Sequence, residues 1–147
     1  MPRTRRPNGF TLIELITVIV ITGTLAVVAL PRMVDTTSWR LRAFNDQLQS
    51  QLHTAQRLSL TQRRPVIATI TATGASFAYV SGSTLATLPC PSAIPSCIAG
   101  SGTRTITFNA GNSGQALTST GAALTITVSG DGYTSAFTVE NDTGALH

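Results

Sequence analysis

The sequence predicts an α+β fold: a long N-terminal helix, its first half apolar enough to lie in a membrane, packs by its second half on a small antiparallel β-sheet module. Three observations predict it. Between Phe10 and Val34 the only charges are Glu14 and Arg32. From Asp35 to Gln62 apolar residues return at steps of three and four, the period of a helix with one buried face. Beyond Pro65 the pattern changes to short alternating runs separated by Gly, Asn and Asp, the mark of strands with turns between them.

These changes divide the 147 residues into a basic leader, 1–9, an apolar helix, 10–34, its amphipathic continuation, 35–64, and a β-rich module, 65–147. Once the apolar run is set aside, the length allows one small folded module. Charged residues are 11% of the chain, against about 25% in an ordinary soluble domain. Threonine is roughly a sixth of it, which favours strands over exposed helices.

The apolar segment comes first. Twenty-five helical residues at 1.5 Å each reach about 37 Å, enough to cross a bilayer with some tilt. A removable secretory signal has a shorter apolar core followed by an A-x-A-like site, so cleavage behind this run is not expected. The basic stretch "MPRTRRPNG" in front predicts a cytoplasmic N-terminus and an outward-facing module, although Arg32, Arg40 and Arg42 flank the far end. Glu14 is the anomaly, because an acid within a membrane segment costs about 2.5–3.5 kcal/mol on insertion scales. Pro31 lacks a backbone donor and predicts a kink.

In the continuation, Leu41, Phe44, Leu48, Leu52 and Ala55 form one stripe, read as the seam against a sheet. Pro65 bars further helix, and Arg63 and Arg64 sit where cations suit the negative end of the helix dipole. His53 lies beside the stripe with no second ligand at metal spacing and is read as a surface or partly packed histidine. The strands expected beyond it are "VIATITAT", "ASFAYV", "TRTITFN", "ALTITVS" and "YTSAFTVE". Tight turns are expected at Thr73-Gly74 and at "SGDG", Ser129 to Gly132.

Charge and chemistry narrow the function. The net charge of +4 and the pI near 10 belong to the N-terminal part. All ten basic residues are arginine, and from Pro65 onward Arg104 alone faces Asp131, Glu140 and Asp142, a formal charge of −2. A nucleic-acid partner is therefore not expected. No G-x-S-x-G, H-E-x-x-H or phosphate-cradling loop is present, "GNSG" and "GDG" read as turns, and neither an enzyme nor a cofactor is expected. Asp131, Glu140 and Asp142 lack a calcium-loop pattern, and no metal site is assigned. Cys90 and Cys97, in the loop "CPSAIPSC", suggest a disulfide in an oxidising compartment. Two thiols alone make a poor zinc site.

"GFTLIEL", with Gly9 before Phe10 and Glu14 four residues after it, resembles the cleavage and methylation motif of type IV prepilins and type II secretion pseudopilins. The basic leader, the Gly9-Phe10 junction, Glu14 in the run, and then Gly23 and Pro31 agree with that family in order and spacing. The resemblance implies the pilin fold, cleavage between Gly9 and Phe10 by a prepilin peptidase, and N-methylation of Phe10. It implies as partners other pilin subunits and an inner-membrane assembly platform. It also implies a salt bridge in which Glu14 of an incoming subunit meets the Phe10 amine of one already in the filament. A new α-amine is largely cationic at neutral pH, and such a cation makes a buried carboxylate tolerable. Between Gly23 and Pro31 the resemblance implies a helix weak point that loosens on assembly. "ITFNAGNSGQ" and the closing "VENDTGAL" look more particularly like the minor pseudopilins of the GspH and FimT group. The mid-chain cysteines depart from the C-terminal cysteine loop of many type IV pilins.

The expectation is thus a minor pilin or pseudopilin at the inner membrane with its module in the periplasm, priming or entering a pilus or secretion pseudopilus. The alternative is a DNA-binding or adhesive subunit at a pilus tip. DNA capture calls for clustered Arg or Lys on exposed loops, and the module has only Arg104.

Overall fold

A computed structural model describes residues 10–33 and 36–147, with the side chains of 28–33 outside the description. The leader 1–9, and with it Gly9, also lies outside the described residues. The chain forms two compact units, 1–35 and 36–147.

The first unit contains helix α1, Leu12–Met33. Thr11 precedes it as an N-cap: its hydroxyl accepts the Glu14 N–H at 3.3 Å, and its carbonyl accepts the N–H groups of Glu14 and Leu15. Thr17, Thr22 and Thr24 turn their hydroxyls inward and donate to the carbonyls of Ile13, Val18 and Ile21. Hydroxyls satisfied within the helix leave its surface apolar in effect, which is how a run rich in threonine stays compatible with lipid.

The second unit opens with α2, Thr36–Thr61. Its buried side chains include all five of the predicted stripe, Leu41, Phe44, Leu48, Leu52 and Ala55, together with Asn45 and Ser59. His53 is exposed. The helix ends in a Schellman arrangement: Arg64 N–H donates to Ser59 O, Arg63 N–H donates to Leu60 O, and Arg63 takes the left-handed conformation at φ 50°. Pro65 follows and cannot continue the helix.

Seven strands follow: β1 Val66–Thr71, β2 Gly74–Tyr79, β3 Thr84–Pro89, β4 Arg104–Phe108, β5 Ala116–Thr118, β6 Leu124–Gly130 and β7 Tyr133–Val139. All pairings are antiparallel, but they form two sheets rather than one. The first has five strands in the order β3-β2-β1-β4-β5, and the second is the β6-β7 ribbon. Isolated bridges, Ile98 with Val128, Ala116 with Asp142 and Val139 with Leu146, knit the ends together. The β4 edge is already taken by β5, so β6 pairs with β7 and with the segment around Ile98.

Both expected turns are present. In the β1-β2 hairpin Thr71 faces Gly74 across Ala72 and Thr73, so Gly74 leaves the turn rather than sitting within it. A Cβ there would lie 2.4 Å from Leu88 O, because β3 runs close against it. In the β6-β7 hairpin Asp131 and Gly132 have φ of 47° and 78°, a primed turn suited to strand twist. α2 packs on β1, β4, β6 and β7. Its stripe meets the inward faces of the strands, Val66, Ala68 and Ile70, Ile106 and Phe108, Ile126 and Val128, and Phe137 and Val139, all buried. This is the α+β, pilin-like arrangement the sequence predicts.

Candidate processing and assembly site

The N-terminal end of α1 gathers the predicted chemistry in one short stretch. Phe10 precedes the helix and is 79% exposed. Glu14 lies in the first helical turn, where a carboxylate complements the positive end of the helix dipole. Thr11 and Glu14 together read T-x-x-E, a capping-box spacing that begins the helix just behind the Gly9-Phe10 junction. Sequence reasoning passed over Thr11, although a Ser or Thr three residues before an acid at the head of an apolar run is a recognisable helix start. Among the described residues, no cation lies within salt-bridge range of Glu14; the one acid–base contact within that range joins His147 Nε2 and Glu140 at 3.5 Å.

Every described side chain from Phe10 to Val27 is exposed, including Leu12, Ile13, Leu15, Ile19, Leu25 and Val27. Gly23 has nothing within 4 Å of an added Cβ, so no contact among the described residues requires glycine there. The backbone is helical through both Gly23 and Pro31, although the Pro31 side chain lies outside the description. Among the described residues, no helix is long and apolar enough to cross a membrane. The described side chains of α1 run only from Leu12 to Val27, about 24 Å of helix against a hydrocarbon core of about 30 Å.

The other candidates are structural. Cys90 and Cys97 are joined by a disulfide. Cys97 is fully buried, and its carbonyl accepts the Ser129 N–H at 2.9 Å, so the bridge fastens the end of β3 to the strip beside β6. The acids considered for calcium are not brought together: Asp131 lies in the β6-β7 turn, while Glu140 and Asp142 follow the far end of β7, about 20 Å of strand away. Among the described residues, no three His, Cys, Asp or Glu side chains are grouped to hold a metal. "GNSG" closes a short 3-10 turn, Ala110–Asn112. Asn109 orders it, with its amide donating to Ser59 O at 3.0 Å and its oxygen accepting the Gly114 N–H at 2.9 Å. That clamp between the loop and the end of α2 joins positions 50 residues apart.

Compared with known proteins, the chain matches the Prokaryotic N-terminal methylation motif over residues 4–30. The match, over a short N-terminal stretch, supports a type IV pilin-like or pseudopilin subunit and implies a membrane anchor and assembly with other pilin subunits. No curated protein and no solved structure matches the chain.

Proposed function

We propose that this chain is a minor pilin or pseudopilin, most like the GspH and FimT group, made as a precursor and built into or priming a type IV pilus or type II secretion pseudopilus. The observation that carries the reading is the methylation motif of residues 4–30 running into a helix whose described apolar side chains are all exposed. Such a helix needs lipid first and neighbouring helices later. A prepilin peptidase removes residues 1–9, cutting between Gly9 and Phe10, and Phe10 is N-methylated. Segment 10–34 holds the subunit in the inner membrane with the module in the periplasm. During assembly Glu14 pairs with the Phe10 amine of a neighbouring subunit, and the Gly23 to Pro31 stretch is where the helix loosens.

Two measurements test this. Mass spectrometry of the native protein is expected to find methylated Phe10 as the N-terminus; an intact Met1 leader in membranes containing active prepilin peptidase overturns the processing step. Glu14→Leu is expected to be inserted and cleaved, since it makes the segment more apolar and leaves Gly9 and Phe10 untouched. Its co-purification with assembled filaments is expected to fall, and that of Glu14→Lys to fall further through repulsion with the amine. Undiminished co-purification of both variants refutes the pairing.

A further inference from the structure

Trp39 is 65% exposed at the end of the first turn of α2, an unusual setting for the largest apolar side chain a protein has. It is held in place there. The Arg42 guanidinium lies 5.6 Å from the centroid of the Trp39 ring and 5.8 Å from that of Tyr133, between two aromatic groups brought together from opposite ends of the module. Tyr133 is fixed in turn, because the β6-β7 hairpin presses on α2: a Cβ on Gly130 would lie 2.5 Å from Ile94 Cδ1 and 3.3 Å from Leu41 Cδ1. Arg40, the next residue after Trp39, is exposed as well.

We propose that Trp39, Arg42 and Tyr133 form a phospholipid-headgroup docking surface that lays the module against the membrane holding α1. The proposal rests on the membrane-anchored reading above. The occupant follows from tether length and chemistry. Trp39 is six residues beyond Met33, the last residue of α1, and six residues reach at most about 22 Å. Once α1 is in the bilayer, the surface within reach of this indole is the headgroup layer. Trp and Tyr are the residues enriched at that layer, where an apolar ring with a polar edge is half solvated, and a guanidinium donates to phosphate while stacking on aromatic faces. Asp46 and Asp131 are also exposed nearby and offset Arg40 and Arg42 in formal charge. The contact is therefore local, between Arg42 and phosphate and between ring and glycerol, and does not depend on a strongly anionic surface.

Trp39 is the chain's single tryptophan, so its fluorescence reports this surface directly. The full chain is reconstituted into phosphatidylcholine vesicles, with and without phosphatidylglycerol, and flotation shows whether it is anchored. Lipids brominated high on the acyl chain are expected to quench Trp39 in both compositions, while aqueous iodide quenches it weakly. The W39F/Y133W chain moves the reporter to the β6-β7 hairpin, and lipid quenching there is expected as well, which a module merely tethered above the membrane does not give. Arg42→Gln is expected to weaken lipid contact about fivefold, the scale of one basic residue at a membrane surface. A chain that floats but shows iodide quenching and no lipid quenching at position 133, whatever position 39 shows, overturns the proposal and leaves the anchored reading standing. Protection from iodide that grows with protein concentration and ignores brominated lipid overturns it in favour of a second copy of the chain. A chain that does not float fails the anchored reading, and the docking surface fails with it.

Discussion

Replacing both cysteines, C90A/C97A, isolates what the disulfide contributes. The bridge closes a ring from Cys90 to Cys97, a separation of seven positions. A loop of about eight residues loses roughly 8 cal/mol/K of unfolded-state entropy, or about 2.5 kcal/mol at 25 °C. The native loop keeps other anchors when the bridge goes: Cys90 N–H still donates to Thr73 O and Ser129 N–H to the carbonyl of residue 97, both at 2.9 Å, and Ile98 still bridges to Val128. The loss therefore falls chiefly on the unfolded chain. Because Cys97 is fully buried, deleting its sulfur adds a small void worth about another 1 kcal/mol. The assay is urea unfolding of the full chain in detergent, comparing oxidised protein, reduced protein and the double variant. The reduced chain is expected to lose about 2.5 kcal/mol and the variant about 3.5 kcal/mol, or roughly 10–20 °C in melting temperature. A loss below about 1 kcal/mol in both refutes the argument, and means that the loop is held as tightly in the unfolded ensemble as in the fold.

Two further outcomes follow from the packing. Asn45 is buried in the α2 seam and its Oδ1 has no hydrogen-bond partner among the described residues, so Asn45→Leu is expected to raise stability by about 1–2 kcal/mol in the same titration; a lower midpoint means that the oxygen is bonded in solution. Gly74→Ala places a Cβ 2.4 Å from Leu88 O and 2.9 Å from Pro89 Cα, backbone atoms that cannot rotate aside, and is expected to cost about 2–4 kcal/mol. Gly121→Ala, at φ 67° with nothing within 4 Å, is its control and is expected to cost only about 1 kcal/mol.

Much of the module can be read from the chain because burial imprints a period. The α2 seam recurs at three and four residues, and β1 shows every second residue buried, so both patterns survive in sequence. β3 escaped because it is an edge strand with only Leu88 buried and Pro89 at its end, leaving no alternation to detect. β5 escaped because three residues are too few to show a period. The division into two sheets could not be read at all, since it depends on which edges remain open after β4 and β5 have paired, a property of the assembled fold.

The candidate sites divide in the same way, for a reason that lies in what reads them. On the proposed reading, Gly9, Phe10 and Glu14 are recognised as a short run of chain, so their message lies in linear order, and that order can be read without a structure. The Arg42 contact with Trp39 and Tyr133 has no such constraint. A bilayer surface meets only the folded module, and the fold is free to draw its aromatic groups from a helix start and a hairpin far apart in sequence. Trp39 alone looks like one more residue of an amphipathic helix, and Tyr133 like the first residue of a strand. Only the hairpin pressed against Leu41 through Gly130 turns them into one face. For the same reason the surface is sensitive to changes that touch none of its members. Gly130→Val meets Ile94 Cδ1 and Cγ2 and Leu41 Cδ1 and adds a side chain at φ 158°, so Ile94 and Leu41 must shift, and it is expected to loosen the hairpin and weaken the contact of Tyr133 with Arg42. In vesicles that variant should keep Trp39 near the lipid by tether alone and lose lipid quenching at position 133. Equal quenching at both positions would mean that the module reaches the membrane through some other face.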